Sequence, residues 1–376
     1  MEIARLLGEM VKRGASDLYI TVDSKPMLRI HGTNHPVGDA MLSPTLTESL
    51  ADSLMSDNER QVFHSTKEMN LGISIPNLGR FRVNVLRQRN SVGMVIREIK
   101  TTIPTLDDLQ LPGVLKEIVM AKRGLVLVVG ATGSGKSTSL AAMIDHRNAN
   151  TAGHIITVED PIEFVHPNKG CIVTQREVGA DTDSFHAALK NTLRQAPDVI
   201  LIGEIRDSET MEAGLTFAET GHLCLGTLHS SNANQAIQRV LSFFTADRHP
   251  EILLQMSLNL RAVISQRLIP STDGKRAAAL EVLLDTPWIK EMIKKGEVDR
   301  IKEGMERGTG EGCQIFDDAL LALYSEGRIT FDQAIANADS ANNLRLKIKN
   351  ADAKRPTPAA AVLRVGGSPE GSALSM

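Results

Sequence analysis

Residues 124–137 read GLVLVVGATGSGKS, an unbroken apolar run that ends in a glycine-punctuated loop and a Lys–Ser pair. This feature leaves the chain little choice of fold. An apolar strand entering such a loop is buried on both faces, which requires a sheet covered by helices on either side. Gly130-Ala131-Thr132-Gly133-Ser134-Gly135-Lys136-Ser137 satisfies G-x-x-x-x-G-K-[ST] in full. The glycines let successive N–H groups turn inward around a phosphate, and the helix that follows adds the positive end of its dipole. The motif predicts bound ATP and Mg2+. Lys136 is expected at the β- and γ-phosphates and Ser137 at the metal, with Gly130, Thr132, Gly133, Ser134, Gly135 and Thr138 completing the cradle.

The same alternation runs on. HIITVED (154–160), DVILIGE (198–204) and LCLGTLH (223–229) alternate with helical stretches starting near Lys136, Ser184, Ser208 and Asn234. That order predicts an α/β fold with a mainly parallel sheet. A smaller α+β unit precedes it. Ile3, Leu6, Leu7, Met10 and Val11 recur at helical spacing up to Gly14. Strands follow in SDLYITV, PMLRIHG, LGISIP, RFRVNVLRQR and GMVIREI, with a helix over residues 45–55. The aperiodic, proline-bearing TTIPTLDDLQLPG marks a boundary, giving units 1–103 and 114–350 with a linker at 104–113. HPEILLQMSLNLRAVISQRLI (249–269) predicts one helix with Pro250 near its first position, then helices near 288–305, 314–326 and 330–338. From Ala351 the Ala-, Pro-, Gly- and Ser-rich tail predicts disorder.

Composition removes several function classes. Lys plus Arg total 42 against 45 Asp plus Glu, and aromatics are 3% of residues, so nothing invites nucleic acid. Cys171, Cys224 and Cys313 form no C-x-x-C pair, which argues against a zinc site or a disulfide framework and suits a reducing compartment. The N-terminus lacks a signal-peptide layout and no 18-residue apolar stretch occurs, so a soluble, cytoplasmic protein is expected.

Acidic residues cluster where an α/β sheet places ligands, at the carboxyl ends of its strands. Glu204 ends DVILIGE; it can orient the metal shell through water or polarise the attacking water, or else pair with Arg206. TVEDPIEF (157–164) sets Glu159, Asp160 and Glu163 around Pro161; this is either a solvated acidic turn or, beside a nucleoside triphosphate, the source of the base that takes a proton from water, for which Glu163 is favoured. His222 and His229 lie seven residues apart on a strand and face opposite sides, which argues against a shared metal. Each is either a core histidine or a group that senses the γ-phosphate. Arg80 and Arg82 share one face of RFRVNVLRQR, and Arg97 lies on the next strand. A solvated face explains these arginines as well as a phosphate contact does.

These boxes, in this order, resemble the ATPase superfamily of secretion systems and type IV pili. Its members join a P-loop to an acidic box like TVEDPIEF, a Walker B ending in glutamate like DVILIGEIRD and a histidine box like TGHLCLGTLH. The resemblance spans GASDLYI (14–20) to NADSANNLRLKI (337–348). It implies a RecA-like ATPase domain behind a small PAS-like domain. It also implies a hexameric ring that couples hydrolysis to movement of an inner-membrane platform protein, and hence peripheral association with that membrane. Arg82 and Arg97 would help to close the site, with each N-terminal domain near a neighbour's nucleotide domain. Within the superfamily the chain looks like the retraction motors of the PilT/PilU type, because it lacks the extra N-terminal region and four-cysteine insertion of assembly ATPases. PWIKEMIKKGEVDRI (287–301) departs from the A-I-R-N-L-I-R-type helix of PilT. This favours the accessory PilU-like branch, for which a sister retraction ATPase is a further candidate partner. The alternatives are an assembly or type II secretion ATPase, and a nucleotide-gated scaffold with little turnover.

Overall fold

The computed structural model describes residues 2–30, 32–100 and 102–354. The first unit comprises α1 (Glu2–Lys12), β1 (Asp17–Ile20), β2 (Met27–Ile30), β3 (Thr33–Pro36), α2 (Pro44–Asp52), α3 (Asp57–Thr66), β4 (Glu68–Ile75), β5 (Gly79–Gln88) and β6 (Ser91–Ile99). Its six strands pair antiparallel in the order β3-β2-β1-β6-β5-β4. Strand β5 alternates, burying Phe81, Val83 and Val85 in a cluster that also holds residues of α1, α2 and α3, while Arg82 and Asn84 stay on the other face. Helix α3 was not expected. Ser56 and Glu59 form its capping box, a signal present in the sequence.

The second unit holds α4 (Val114–Met120), β7 (Gly124–Val129), α5 (Lys136–Asn150), β8 (Gly153–Glu159), β9 (Cys171–Glu177), α6 (Phe185–Thr192), β10 (Val199–Ile202), α7 (Ser208–Glu219), β11 (Leu223–Leu228), α8 (Ala233–Leu241), α9 (His249–Asn259), β12 (Leu260–Pro270) and β13 (Arg276–Leu284). Its sheet runs β13-β12-β7-β11-β10-β8-β9, parallel throughout except for the edge strand β13. Helices α10 (Pro287–Lys295), α11 (Ile301–Arg307), α12 (Phe316–Ser325), α13 (Phe331–Asn337) and α14 (Ala341–Lys354) close the chain.

The expected helix over 249–269 is corrected. It stops at Asn259, and LRAVISQRLIP becomes β12, directly beside the P-loop strand. Ala262, Val263, Ile264 and Ser265 are all fully buried, and a segment buried on both faces carries no period to separate helix from strand. The expected helix at 288–305 breaks at Gly296, which takes the left-handed conformation (φ 72°) and caps α10. Residues 351–354, expected to be disordered, extend α14, and the rest of that tail lies outside the described residues.

The connector 104–113 forms neither helix nor strand, yet it does not hang free. Leu106 and Leu111 are buried among Val126, Val128 and Leu140 of the second unit. Thr105 and Asp108 cap each other across the turn between them. Where the chain leaves β6, Lys100 bridges to Phe164, and its carbonyl accepts from Val165 N–H at 3.2 Å. That contact sets the six-stranded sheet against the end of the acidic box.

Candidate nucleotide site

The loop between β7 and α5 has the shape that its glycines allow. Gly130 and Gly135 sit at φ 154° and 85°, and both positions are also closed to any Cβ. A Cβ on Gly130 would lie 2.5 Å from Ser134 Oγ and 2.6 Å from the Gln266 carbonyl; one on Gly135 would meet Gln266 Nε2 at 2.8 Å. Ser134 Oγ is buried and has no partner among the described residues. Lys136 Nζ turns back onto the Gly130 and Ala131 carbonyls at 2.8 and 3.0 Å. Burial lowers its pKa, while the carboxylates of Glu204 and Glu163 partly oppose that shift. A loop that caps its own lysine and leaves a buried hydroxyl unpaired fits an incoming polyphosphate, which would take over both groups.

Three cavities meet around this loop. The first, of 260 Å3, brings Thr132, Gly133, Lys136 and Ser137 together with Glu204 and His229. The second, of 480 Å3, lies behind Ser134, Gly135 and Thr138 and is walled by Leu109, Leu111, Arg276 and Ala278. Glu163 lines both, and it also lines a third cavity that separates Thr138 from Arg82 and Arg97. The connector leucines, Arg276 and Gln266 escaped the sequence reading, since nothing in their local pattern points to the loop.

The acidic groups divide by environment. Glu204 follows β10 at the strand's carboxyl end, where Arg206 Nη2 reaches Oε2 at 2.7 Å and His229 Nε2 stands 3.3 Å from Oε1. Burial pushes the Glu204 carboxyl up, but the Arg206 hydrogen bond and the charges of Arg206, His229 and Lys136 outweigh it and hold the pKa low. Glu204 is therefore both paired with Arg206 and present at the site. Glu159 differs: burial raises its pKa, against hydrogen bonds from Thr157 at 2.6 Å and Gln175 at 3.2 Å. Glu163 is exposed where the three cavities meet, a position from which a carboxylate can take a proton from water. His166, also on the cavity wall, is held neutral, its pKa pushed down to about 4 chiefly by burial.

The two histidines separate. His229 follows β11 at the ligand end of the sheet, whereas His222 precedes β11 at the opposite end. There His222 Nδ1 lies 3.1 Å from Thr220 Oγ1 and 3.2 Å from the Phe217 carbonyl. A six-residue strand spans on the order of 20 Å. The structure thus does not bring His222 to the nucleotide loop of its own chain, and its expected place among the nucleotide contacts is corrected on that ground.

Across the third cavity, Asp17, Arg97 and Arg82 form one row over β1, β6 and β5. Buried Asp17 accepts from Arg97 Nε and Nη2 at 2.9 and 2.7 Å through a single oxygen. Directly opposite Arg97, Arg82 makes no ion pair among the described residues. Like charges directly opposed on a sheet destabilise it, so this pair gains from an anion in the cavity. The arginines face Glu163 of their own chain, because the Lys100–Phe164 bridge draws β6 to the acidic box. Arg80 does not line the cavity; it packs against Gly72 of β4.

Comparison with known proteins agrees with this geometry. The profile of the family described as Type II/IV secretion system protein matches residues 2–321. The type IV pilus ATPase PilU of Pseudomonas aeruginosa is 55% identical over 350 residues, covering 93% of this chain and 92% of the relative. The type IV pilus retraction ATPase PilT of the same organism is 40% identical over 343 residues, 91% of this chain and all of the relative. A crystal structure of the pilus retraction motor PilT with bound ADP superposes with a TM-score of 0.86 at 39% identity, covering 92% of this chain and 99% of that one. The chain is an ATPase of the type II/IV secretion system family, and it belongs to the PilU-like branch of that family.

Proposed function

We propose that this ATPase drives type IV pilus retraction, as a hexameric ring that pulls on an inner-membrane platform protein from the cytoplasmic side. The observation that carries the reading is the third cavity. The P-loop, Glu163 and Glu204 belong to one unit, while Arg82 and Arg97 stand on the other, across a gap bridged at Lys100. Catalytic groups divided between two bodies make turnover depend on their approach, which is how hydrolysis becomes motion. The names of the relatives supply the rest: both PilU and PilT are type IV pilus ATPases, and PilT is a retraction motor.

The residues then take these roles. Lys136 and the loop N–H groups bind the phosphates, and Glu163 receives the proton of the attacking water. Ser137 would hold Mg2+, with Glu204 reaching it through water and His229 beside Glu204; the ion would supply charge neutralisation at the phosphates. Arg82 and Arg97 meet the charge that develops as the terminal phosphate leaves. Among the described residues no helix is long and apolar enough to cross a membrane.

Deleting the gene, with and without a sister ATPase present, tests the reading. The expected result is surface pili that persist while twitching falls. Loss of surface pili would point to assembly, and unchanged twitching in both backgrounds would count against a motor. Phosphate release at steady state separates the motor from a nucleotide-gated scaffold.

A further inference from the structure

Gln266 lies on β12, next to the P-loop strand, and is 3% exposed. Its amide is engaged at both ends. Nε2 donates to the Ser134 carbonyl at 2.9 Å, and Oε1 accepts from Ser139 Oγ, in the first turns of α5, at 2.7 Å. Its backbone carbonyl closes the start of the loop, 2.6 Å from where a Cβ on Gly130 would stand. One residue, 132 positions along the chain, thus touches the loop's first glycine, its central carbonyl and the helix after it.

We propose that Gln266 is the positioning residue of the phosphate loop. This rests on the reading of that loop as the triphosphate site. In a trans peptide the carbonyl and the next N–H point to opposite sides. Drawing the Ser134 carbonyl toward β12 therefore turns the Gly135 N–H toward the cavity, where a phosphate oxygen accepts. Without Gln266 the carbonyl is buried and unpaired, so the loop gains by rotating that peptide and loses its inward N–H.

The strand that carries Gln266 is itself held on other sides. Ser265 Oγ donates to buried Glu281 at 3.0 Å, and Glu281 accepts at 2.7 Å from Ala233 N–H, at the start of the helix after His229. Arg267 donates to the Asn337 carbonyl at 3.0 Å and pairs with Asp339 at 2.9 Å. A group that orients a binding loop needs this kind of support, because slack in the brace becomes slack in the site.

The test uses the full chain with Gln266→Leu, Gln266→Glu and Ser139→Ala, and Lys136→Ala as a control. Fluorescent ATP and ADP analogues give Kd, phosphate release gives kcat and KM, and melting without nucleotide gives Tm. Gln266→Glu keeps shape and the acceptor for Ser139 but loses the donor to Ser134. Both Gln266 variants are expected to raise KM and both Kd values roughly ten- to hundred-fold. Their kcat should stay within about three-fold, because the loop contacts ground and transition states alike. Ser139→Ala, which keeps the donor, should shift Kd only about two- to three-fold.

Wild-type affinity in Gln266→Glu, or a fall in kcat at constant KM, overturns the proposal. So does a lowered Tm with unchanged KM, the sign of a purely structural residue. If Gln266→Leu does not fold, Gln266→Glu and Ser139→Ala decide it by the same criteria. Normal ATP binding by Lys136→Ala would instead refute the triphosphate reading itself, so the two failures are distinguishable.

Discussion

The two walls of the site are built to different standards. The P-loop wall is over-determined: glycines that tolerate no Cβ, a lysine satisfied by loop carbonyls and a glutamine that reaches the loop from β12 all specify one geometry. The arginine wall is held at its edges, by the Lys100–Phe164 bridge and by Asp17 behind Arg97. Its second cation, Arg82, has no counterion among the described residues. A wall that must bind in every state can be rigid. One that must arrive at the right moment cannot, and weak attachment is what lets a domain approach and withdraw.

The sharpest break of this contrast lies in the rigid wall. Lys136→Ala should abolish tight ATP binding and turnover together, since the loop loses its positive side chain. Equilibrium binding of a fluorescent ATP analogue and phosphate release check it. Next come Glu204→Gln and Glu163→Gln, which keep shape and remove charge. Each should retain ATP binding and lose roughly 10²–10⁴ in kcat. Normal hydrolysis by Glu163→Gln would make the exposed acid structural and transfer the base to Glu204.

The rigid wall is also the part that the sequence makes legible. The P-loop, Glu204 and Glu163 each sit just past an apolar strand, and a strand that enters a loop at its carboxyl end is a local pattern. His229 follows the same rule. His222 does not: it precedes the run LCLGTLH, at the amino end of its strand, so the same carboxyl-end rule already separates it from the loop. Gln266 and Asp17 lie beyond local reading, for their partners stand 132 and 80 positions away. Strand β12 was hidden by its own burial: apolar on both faces, it followed a true helix without a turn signal. The parallel sheet was legible in its centre and lost at both margins, at β12–β13 and at β9.

A third experiment asks whether the arginine wall serves its own chain. Arg82→Ala with Arg97→Ala should spare nucleotide binding and reduce kcat by roughly 10³, the low end for an arginine on a transferring phosphate. In the structure both arginines face their own Glu163. Mixing such subunits with Lys136→Ala subunits should then restore no activity, because no chain in the mixture holds both walls intact. Recovery in mixed assemblies verified by native mass spectrometry would show that a neighbour's arginines complete the site.

The smallest effect concerns how Arg97 is aimed. Its Nε and Nη2 both bind one oxygen of Asp17, whose side chain is 4% exposed while Arg97 is 66% exposed. The buried carboxylate thus fixes the root of the guanidinium, while the arginine itself stays open to the cavity. Asp17→Asn keeps an acceptor oxygen and removes the negative charge, which weakens each bond although Arg97 stays cationic. Arg97 then samples more orientations, some turned away from Glu163. If Arg97 acts as proposed, on charge that appears during the reaction, the loss should fall on kcat, about five-fold, with the KM for ATP unchanged. If KM rises instead, the arginine wall already holds the nucleotide in its ground state. The two walls would then differ less than their contacts suggest.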